Sequence, residues 1–265
     1  MAAENKEFKQ LPQRSGTEGW LRRFEWKGDS EALIEEAGKL TLRDQVAFGQ
    51  KPGRRAAQVT RGLGAEGVPY YYAGEPDPAT HDLSDLKPAL RELVEILMRL
   101  FKEETGDDCN NVLVQLYEPM TGIGEHADDS QFNRVGGAGW VLSYNGGASR
   151  RFAVRDDDGK RIKLGLEPGS AVMFKGGDRK HELEKPFVGA KGTLGDCRFT
   201  KNCRVIDGRY RCNRGDCPNI YHLCQCPHLR LNITLRHLEV IKRPTAGRKR
   251  KRAAAGEREE EKKQK

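Results

Sequence analysis

The chain has 265 residues, 36% hydrophobic and 32% charged, with a formal net charge of +8. That length supports one substantial core or two small ones. No apolar run approaches bilayer thickness and the opening Met1-Ala2-Ala3-Glu4-Asn5-Lys6 has no secretory apolar stretch, so no membrane partner is expected. A reducing compartment follows, in which the seven cysteines are read as thiols or metal ligands rather than disulfides.

In chain order, residues 1–18 are polar and expected to be disordered. A folded domain is expected over 19–241. It opens with a short helix over Asp29–Lys39, where Leu33, Ile34 and Ala37 recur at helical spacing. The Gly/Arg-rich stretch 49–67 reads as an irregular loop. Pro69-Tyr70-Tyr71-Tyr72 favours a strand through its aromatic content. The clearest helix runs from Asp85 to Lys102, its apolar face formed by Leu86, Leu90, Leu93, Val94, Leu97, Leu100 and Phe101.

Beyond Asn111 the pattern changes to short strands punctuated by Gly and Asp. They are expected at 112–117, 139–144, 151–155, 161–166, 171–174 and 230–236. The predicted class is mainly β with flanking helices (α+β): N-terminal helices packed on a double-stranded β-helix, or jelly roll. Residues 242–265 form an expected disordered basic tail. Eleven Lys/Arg and four Glu give it +7, leaving +1 for the other 241 residues. Its run Arg248-Lys249-Arg250-Lys251-Arg252 resembles a nuclear localisation signal, so a nuclear location is expected, otherwise cytoplasmic; a plain solvated tail is the competing reading.

Two patterns carry chemistry. His126-Ala127-Asp128 is an H-x-D pair; on a strand, residues two apart face the same side and can meet one metal ion. His181 follows a predicted strand and the turn Gly176-Gly177-Asp178. Two imidazoles and a carboxylate on one face of a metal leave three positions open, the facial triad of non-haem Fe(II). Surface histidines are the bland alternative.

The second pattern is Arg230-Leu231-Asn232-Ile233-Thr234-Leu235-Arg236. Alternation puts Leu231, Ile233 and Leu235 on one face, and two guanidiniums, an amide and a hydroxyl on the other. Two cations turned inward cost several kcal/mol each (roughly) unless paired. Arginine binds a carboxylate bidentately, and 2-oxoglutarate has two. A solvated edge strand is the alternative.

Together these residues resemble the AlkB-like dioxygenases: a Tyr-bearing strand at Gln115-Leu116-Tyr117, then H-x-D, a distal His, and R-x-N-x-T-x-R. Gly122-Ile123-Gly124-Glu125-His126-Ala127-Asp128-Asp129 is similar to the animal DNA-repair members, and Phe48-Gly49-Gln50 and Tyr70-Tyr71-Tyr72 resemble their base-binding lid. The resemblance spans Phe48 to Arg236. It implies Fe(II) on His126, Asp128 and His181, and 2-oxoglutarate held by Arg230 at its distal carboxylate. Arg236 would lie near the metal end, with Thr234, Tyr117, Gln115 and Asn232 in support. It also implies a methylated base facing Asp129 and the lid segments. The implied reaction is oxidative demethylation of 1-methyladenine and 3-methylcytosine in DNA, by a monomer. RNA, a protein side chain, a small molecule, or a non-catalytic nucleic-acid-binding module remain as alternatives.

Two departures stand out. Gln115 replaces the family's usual Asn, and 48 residues (182–229) separate His181 from Arg230, where the family connection is much shorter. That insertion holds Cys197, Cys203, Cys212, Cys217, Cys224 and Cys226, with His222 and His228 nearby. Thiolates and imidazoles clustered in this way can fold around zinc, with free thiols as the alternative. Its eight Lys/Arg (Lys185, Lys191, Arg198, Lys201, Arg204, Arg209, Arg211, Arg214) against five acids suit a basic flap on a phosphate backbone.

Overall fold

A computed structural model describes residues 8–13, 15–26, 31–44, 54–63, 67–72, 75–76, 79–117, 121–129, 134–184, 203–206, 209–212 and 229–239. Three layers stack: helices, a large sheet and a small sheet. The large sheet runs, from one edge, β1 (Phe8–Gln10), β2 (Leu21–Trp26), β14 (Ser170–Lys175), β11 (Trp140–Gly147), β18 (Arg230–Arg236), β8 (Asn111–Tyr117), β4 (Arg54–Arg61) and β3 (Arg43–Asp44). β7 (Ala79–Asp82) adds to β4 in parallel. The small sheet runs β13 (Arg161–Leu166), β12 (Arg150–Arg155), β15 (His181–Leu183) and β9 (Ile123–His126). Three two-stranded ribbons pair β5 (Tyr71–Tyr72) with β6 (Glu75–Pro76), β10 (Arg134–Val135) with β19 (Leu238–Glu239), and β16 (Cys203–Ile206) with β17 (Arg209–Cys212).

The helices α1 (Glu31–Gly38) and α2 (Pro88–Thr105) cover the outer face of the large sheet. Pro88 suits the first turn of α2, where its missing N–H bonds nothing. The carboxylate of Glu36 on α1 accepts the Leu90 N–H at 2.7 Å, satisfying an open donor at the start of α2 and joining the helices. Gly106 stops α2 in the left-handed region at φ 81°, its N–H bonding Lys102 O. Leu90, Leu93, Val94, Leu97 and Phe101 then bury against Val112, Val114 and Leu116 of β8 and Leu231, Ile233 and Leu235 of β18. Each such side chain contributes about 1.5–3 kcal/mol, and Leu97→Ala would cost about 2–5 kcal/mol.

A second core lies between the sheets, where Leu113, Val141, Val172 and Phe174 meet Phe152, Val154, Ile162, Leu164 and Leu183. The alternation of β18 thus divides its residues between two interiors. Its aliphatic face meets the helices, and its polar face turns toward the small sheet with all seven residues buried. β18 lies between β11 and β8, so the solvated-edge reading is excluded.

Three expectations need correction. Phe8–Gln10, expected to be disordered, form β1, because Phe8 stacks on Trp26 (ring centroids 6.4 Å) and meets Tyr144 edge-on (6.3 Å). Within 49–67, expected as loop, Arg54–Arg61 form an interior strand between β8 and β3; Ala56, Ala57, Gln58, Val59 and Thr60 are all buried, so the half-buried alternation is missing. The H-x-D pair does not lie along one strand: His126 ends β9 and Asp128 sits in the bend beyond it. The tail 242–265 lies outside the described residues.

Candidate active site

His126, the last residue of β9, and His181, the first of β15, are direct cross-strand partners, which brings their rings to 4.3 Å between centroids. Asp128 comes back to the same point because the bend is tied to the loop before β15: Asp129 N–H donates to Gly177 O at 2.6 Å, and Asp128 N–H points at Gly176 O at 3.5 Å. One donor atom from each of His126, Asp128 and His181 lies within 4.8 Å of the others.

Both rings are oriented alike. His126 Nδ1 meets Gly124 O at 2.9 Å and His181 Nδ1 meets Arg179 O at 3.0 Å. A carbonyl only accepts, so each Nδ1 carries a proton and Nε2 is the nitrogen each ring can offer a metal. Phe174 and Phe152 wall the His181 ring at 4.9 and 5.8 Å.

Asp128 is 1% exposed and takes a two-pronged contact from Arg236, with Nε to Oδ2 at 2.8 Å and Nη2 to Oδ1 at 3.3 Å. Burial alone would push the Asp128 carboxyl up; Arg236, His181 and His126 outweigh it and hold the group down at about 2. The carboxylate is ionised and ready for a cation. Burial opposes the charge on Arg236 as well, and Asp128, with Tyr70 and Tyr117, more than restores it. Two imidazoles and an ionised carboxylate, converging from three backbone segments, fit an Fe(II) ion with open positions.

The second wall is β18. Arg230 is buried at 2% exposure, its Nε donating to Asn145 Oδ1, with its guanidinium 4.9 Å from the Tyr117 ring centroid. Asn145, Asn232 and Gln115 occupy one row across β11, β18 and β8. Asn232 Nδ2 donates to Ser143 Oγ at 2.7 Å and Tyr144 O at 2.9 Å, and its Oδ1 accepts the Thr234 hydroxyl at 3.0 Å. Tyr117 OH donates to Gln115 Oε1 at 3.3 Å. Gln115, Tyr117, Ser143, Arg230, Asn232 and Thr234 line a pocket together with the metal donors, Tyr70, Ile123 and the inter-sheet apolar residues. A guanidinium at one end and a metal-donor triad at the other suit an anionic chelator such as 2-oxoglutarate.

Tyr70 lies in this pocket, 7% exposed, its ring centroid 4.4 Å from the Arg236 guanidinium; Gln58 Oε1 accepts its N–H at 2.9 Å. Tyr71 and Tyr72 form β5, while Phe48, Gly49 and Gln50 lie outside the described residues. Asp129, half-buried, accepts the Val135 N–H at 2.7 Å, a bond that shapes the bend. Cys203 is the register partner of Cys212 in the β16–β17 ribbon; Cys197, Cys217, Cys224 and Cys226 lie outside the described residues. Sequence reasoning missed Asn145, Ser143 and Arg179. Asn145 carries a faint signal, an amide amid the apolar residues of β11, but only the register places it against Arg230.

The sequence model of the 2OG-Fe(II) oxygenase superfamily matches residues 18–236, and the chain belongs to that superfamily. It is therefore a dioxygenase, and its cofactors are Fe(II) and the cosubstrate 2-oxoglutarate. A search of curated proteins finds no match. Among solved structures, that of OsALKBH1 is 16% identical with a TM-score of 0.45, covering 79% of this chain and 92% of its own. A 2OG-Fe(II) oxygenase-family oxidoreductase from Burkholderia pseudomallei gives 12% and 0.42, covering 81% and 80%. A Pseudomonas putida prolyl-4-hydroxylase also gives 12% and 0.42, covering 83% and 95%.

Proposed function

We propose that the protein removes methyl groups from N-methylated nucleic-acid bases, 1-methyladenine and 3-methylcytosine, in DNA. The observation that carries this reading is Tyr70, an aromatic ring in the same pocket as the three metal donors. A base in a duplex cannot reach such a pocket, so it enters flipped or from a single strand. Stacking on an aromatic side chain is worth about 1–3 kcal/mol per base.

Bound Fe(II) and 2-oxoglutarate supply the oxidising chemistry: one atom of dioxygen enters the methyl carbon, and the other enters succinate as CO2 leaves. His126, Asp128 and His181 would hold the metal, and Arg230 would hold the distal carboxylate of the cosubstrate. Arg236 keeps Asp128 ionised and aimed, while Phe152 and Phe174 keep water from the His181 ring. The hydroxymethyl product then loses formaldehyde by breaking its N–C bond, restoring the base.

The test is aerobic incubation with Fe(II), ascorbate, 2-oxoglutarate and matched DNA and RNA oligonucleotides bearing either base, followed by mass spectrometry. Methyl loss from DNA that requires 2-oxoglutarate and disappears in His126→Ala is the expected result. Turnover confined to RNA would move the substrate to RNA, and succinate release without methyl loss would reject nucleic-acid bases as the substrate.

We also propose that zinc holds the insertion. Cys203 and Cys212 are brought opposite one another by a ribbon with only Asp207-Gly208 between its strands, a strong hairpin dipeptide. Elemental analysis giving no zinc in purified, iron-free protein would reject this. The basic run Arg248–Arg252 supports a nuclear address, tested by whether a fluorescent fusion leaves the nucleus once the run is replaced by alanines.

A further inference from the structure

The loop from Lys175 to His181 touches both kinds of metal ligand. On one side its carbonyls at Gly176 and Gly177 face the backbone N–H groups of Asp128 and Asp129. On the other, its carbonyl at Arg179 accepts a hydrogen bond from His181 Nδ1–H. Space in the loop is tight: a Cβ at Gly176 would fall 2.5 Å from Cε2 of Phe174, and one at Gly177 3.2 Å from the Asp129 carboxylate.

One side chain ties this loop to the rest of the fold. Arg179 Nε donates to Lys175 O at 3.2 Å, closing the loop on itself. Its Nη1 donates to Arg155 O at 3.2 Å, at the end of β12, and Nη2 to Asp157 Oδ1 at 2.6 Å. Its guanidinium lies 4.4 Å from the ring centroid of Trp20, whose own carbonyl accepts the Lys175 N–H at 2.9 Å. The Arg179 side chain is 14% exposed, whereas Asp157 is 79% exposed, so the contacts to carbonyls and to Trp20 count for more than the ion pair.

We infer that Arg179 is a positioning residue for the metal centre: its guanidinium, fixed between β12, the end of β14 and Trp20, holds the loop whose carbonyls aim His181 and seat Asp128. The planar fork matters, because it sends donors to two backbone carbonyls and a carboxylate while its face stacks on an indole. A lysine ammonium is a single point that cannot span that set. Partners that orient metal ligands typically change metal affinity by about 10–100-fold when removed.

The full-length metal-free protein is titrated with Mn(II) by calorimetry, as wild type, Arg179→Ala and Arg179→Lys, with urea midpoints measured alongside. The expected result is Mn(II) affinity weakened about 10–100-fold in Arg179→Ala and by a smaller factor in Arg179→Lys. The visible bands of the Co(II)-loaded variants should shift, reporting an altered nitrogen donor. A merely structural role would lower the urea midpoint and leave Mn(II) affinity and the Co(II) bands unchanged. If Arg179→Ala does not fold, Arg179→Lys decides alone. Mn(II) binding within twofold of wild type in every variant that folds would overturn the inference.

Discussion

Arg236 and Asp128 are joined by two hydrogen bonds in a site where neither is more than 5% exposed, and the same carboxylate is the acidic member of the metal triad. The sequence separates them by more than a hundred residues. The fold brings them together because β18 lies next to β8 in the large sheet, while Asp128 hangs from the end of β9 in the small one.

Without metal, this pair depends on itself. Replacing Arg236 by Met leaves Asp128 buried beside two imidazoles with no guanidinium, and removing one partner of a buried pair costs about 3–5 kcal/mol. Urea unfolding of metal-free Arg236→Met should show a loss of that size. Saturating Mn(II) should shrink the difference, because the ion supplies the positive charge that Asp128 has lost. An equal loss with and without Mn(II) would mean that Arg236 stabilises the fold by packing alone.

The acid limb of stability follows from the same carboxylate. Its folded value is about 2 against an ordinary 3.8. A depressed carboxyl contributes fully above its unfolded value, and the contribution disappears as pH falls from 3.8 toward 2. The amount is about 2 kcal/mol. Metal-free wild type should therefore lose stability relative to Asp128→Asn across that interval. Parallel curves for the two proteins would show that Asp128 is not held ionised.

How far the sequence reveals this site depends on what each residue type signals. The alternation from Arg230 to Arg236 shows directly which side chains face which core, because a strand buried on both faces must sort polar from apolar. The H-x-D spacing marks His126 and Asp128 but not their geometry: the convergence comes from the Gly176–Gly177 carbonyls of a distant loop rather than from the pleat. β4 gives no such signal, because its two alanines, glutamine and threonine are buried without any apolar stripe. Asn145 and Arg179 act through register and through backbone carbonyls, which leave no periodic trace.

Asn145 gives a prediction specific to the cosubstrate. Its Oδ1 accepts from Arg230 Nε while its Nδ2 is anchored on Leu166 O at 3.2 Å, so the amide fixes the direction of the guanidinium. A hydrogen bond to a charged group is worth about 1.5–3 kcal/mol. Asn145→Ala should raise the KM for 2-oxoglutarate about tenfold or more while kcat at saturation changes little. A fall in kcat at unchanged KM would place Asn145 in the chemistry rather than in cosubstrate binding.

Cys109 should be chemically silent. Burial pushes its thiol up to about 12 despite hydrogen bonds to Asn111 and Arg236 backbone that pull the other way. The thiolate is the reactive form, and at neutral pH a thiol with that value is ionised only about once in 10⁵ molecules. It is also 2% exposed, tucked under Asn111 with Sγ donating to that residue's carbonyl at 3.2 Å. Iodoacetamide applied to the native protein at pH 7.5, followed by peptide mass spectrometry, should leave Cys109 unmodified, and the same reagent in 6 M guanidinium should alkylate it fully. Labelling under native conditions at a rate near that of an exposed cysteine would mean that this edge of the helix-side core opens, and that α2 does not hold the β8 end closed.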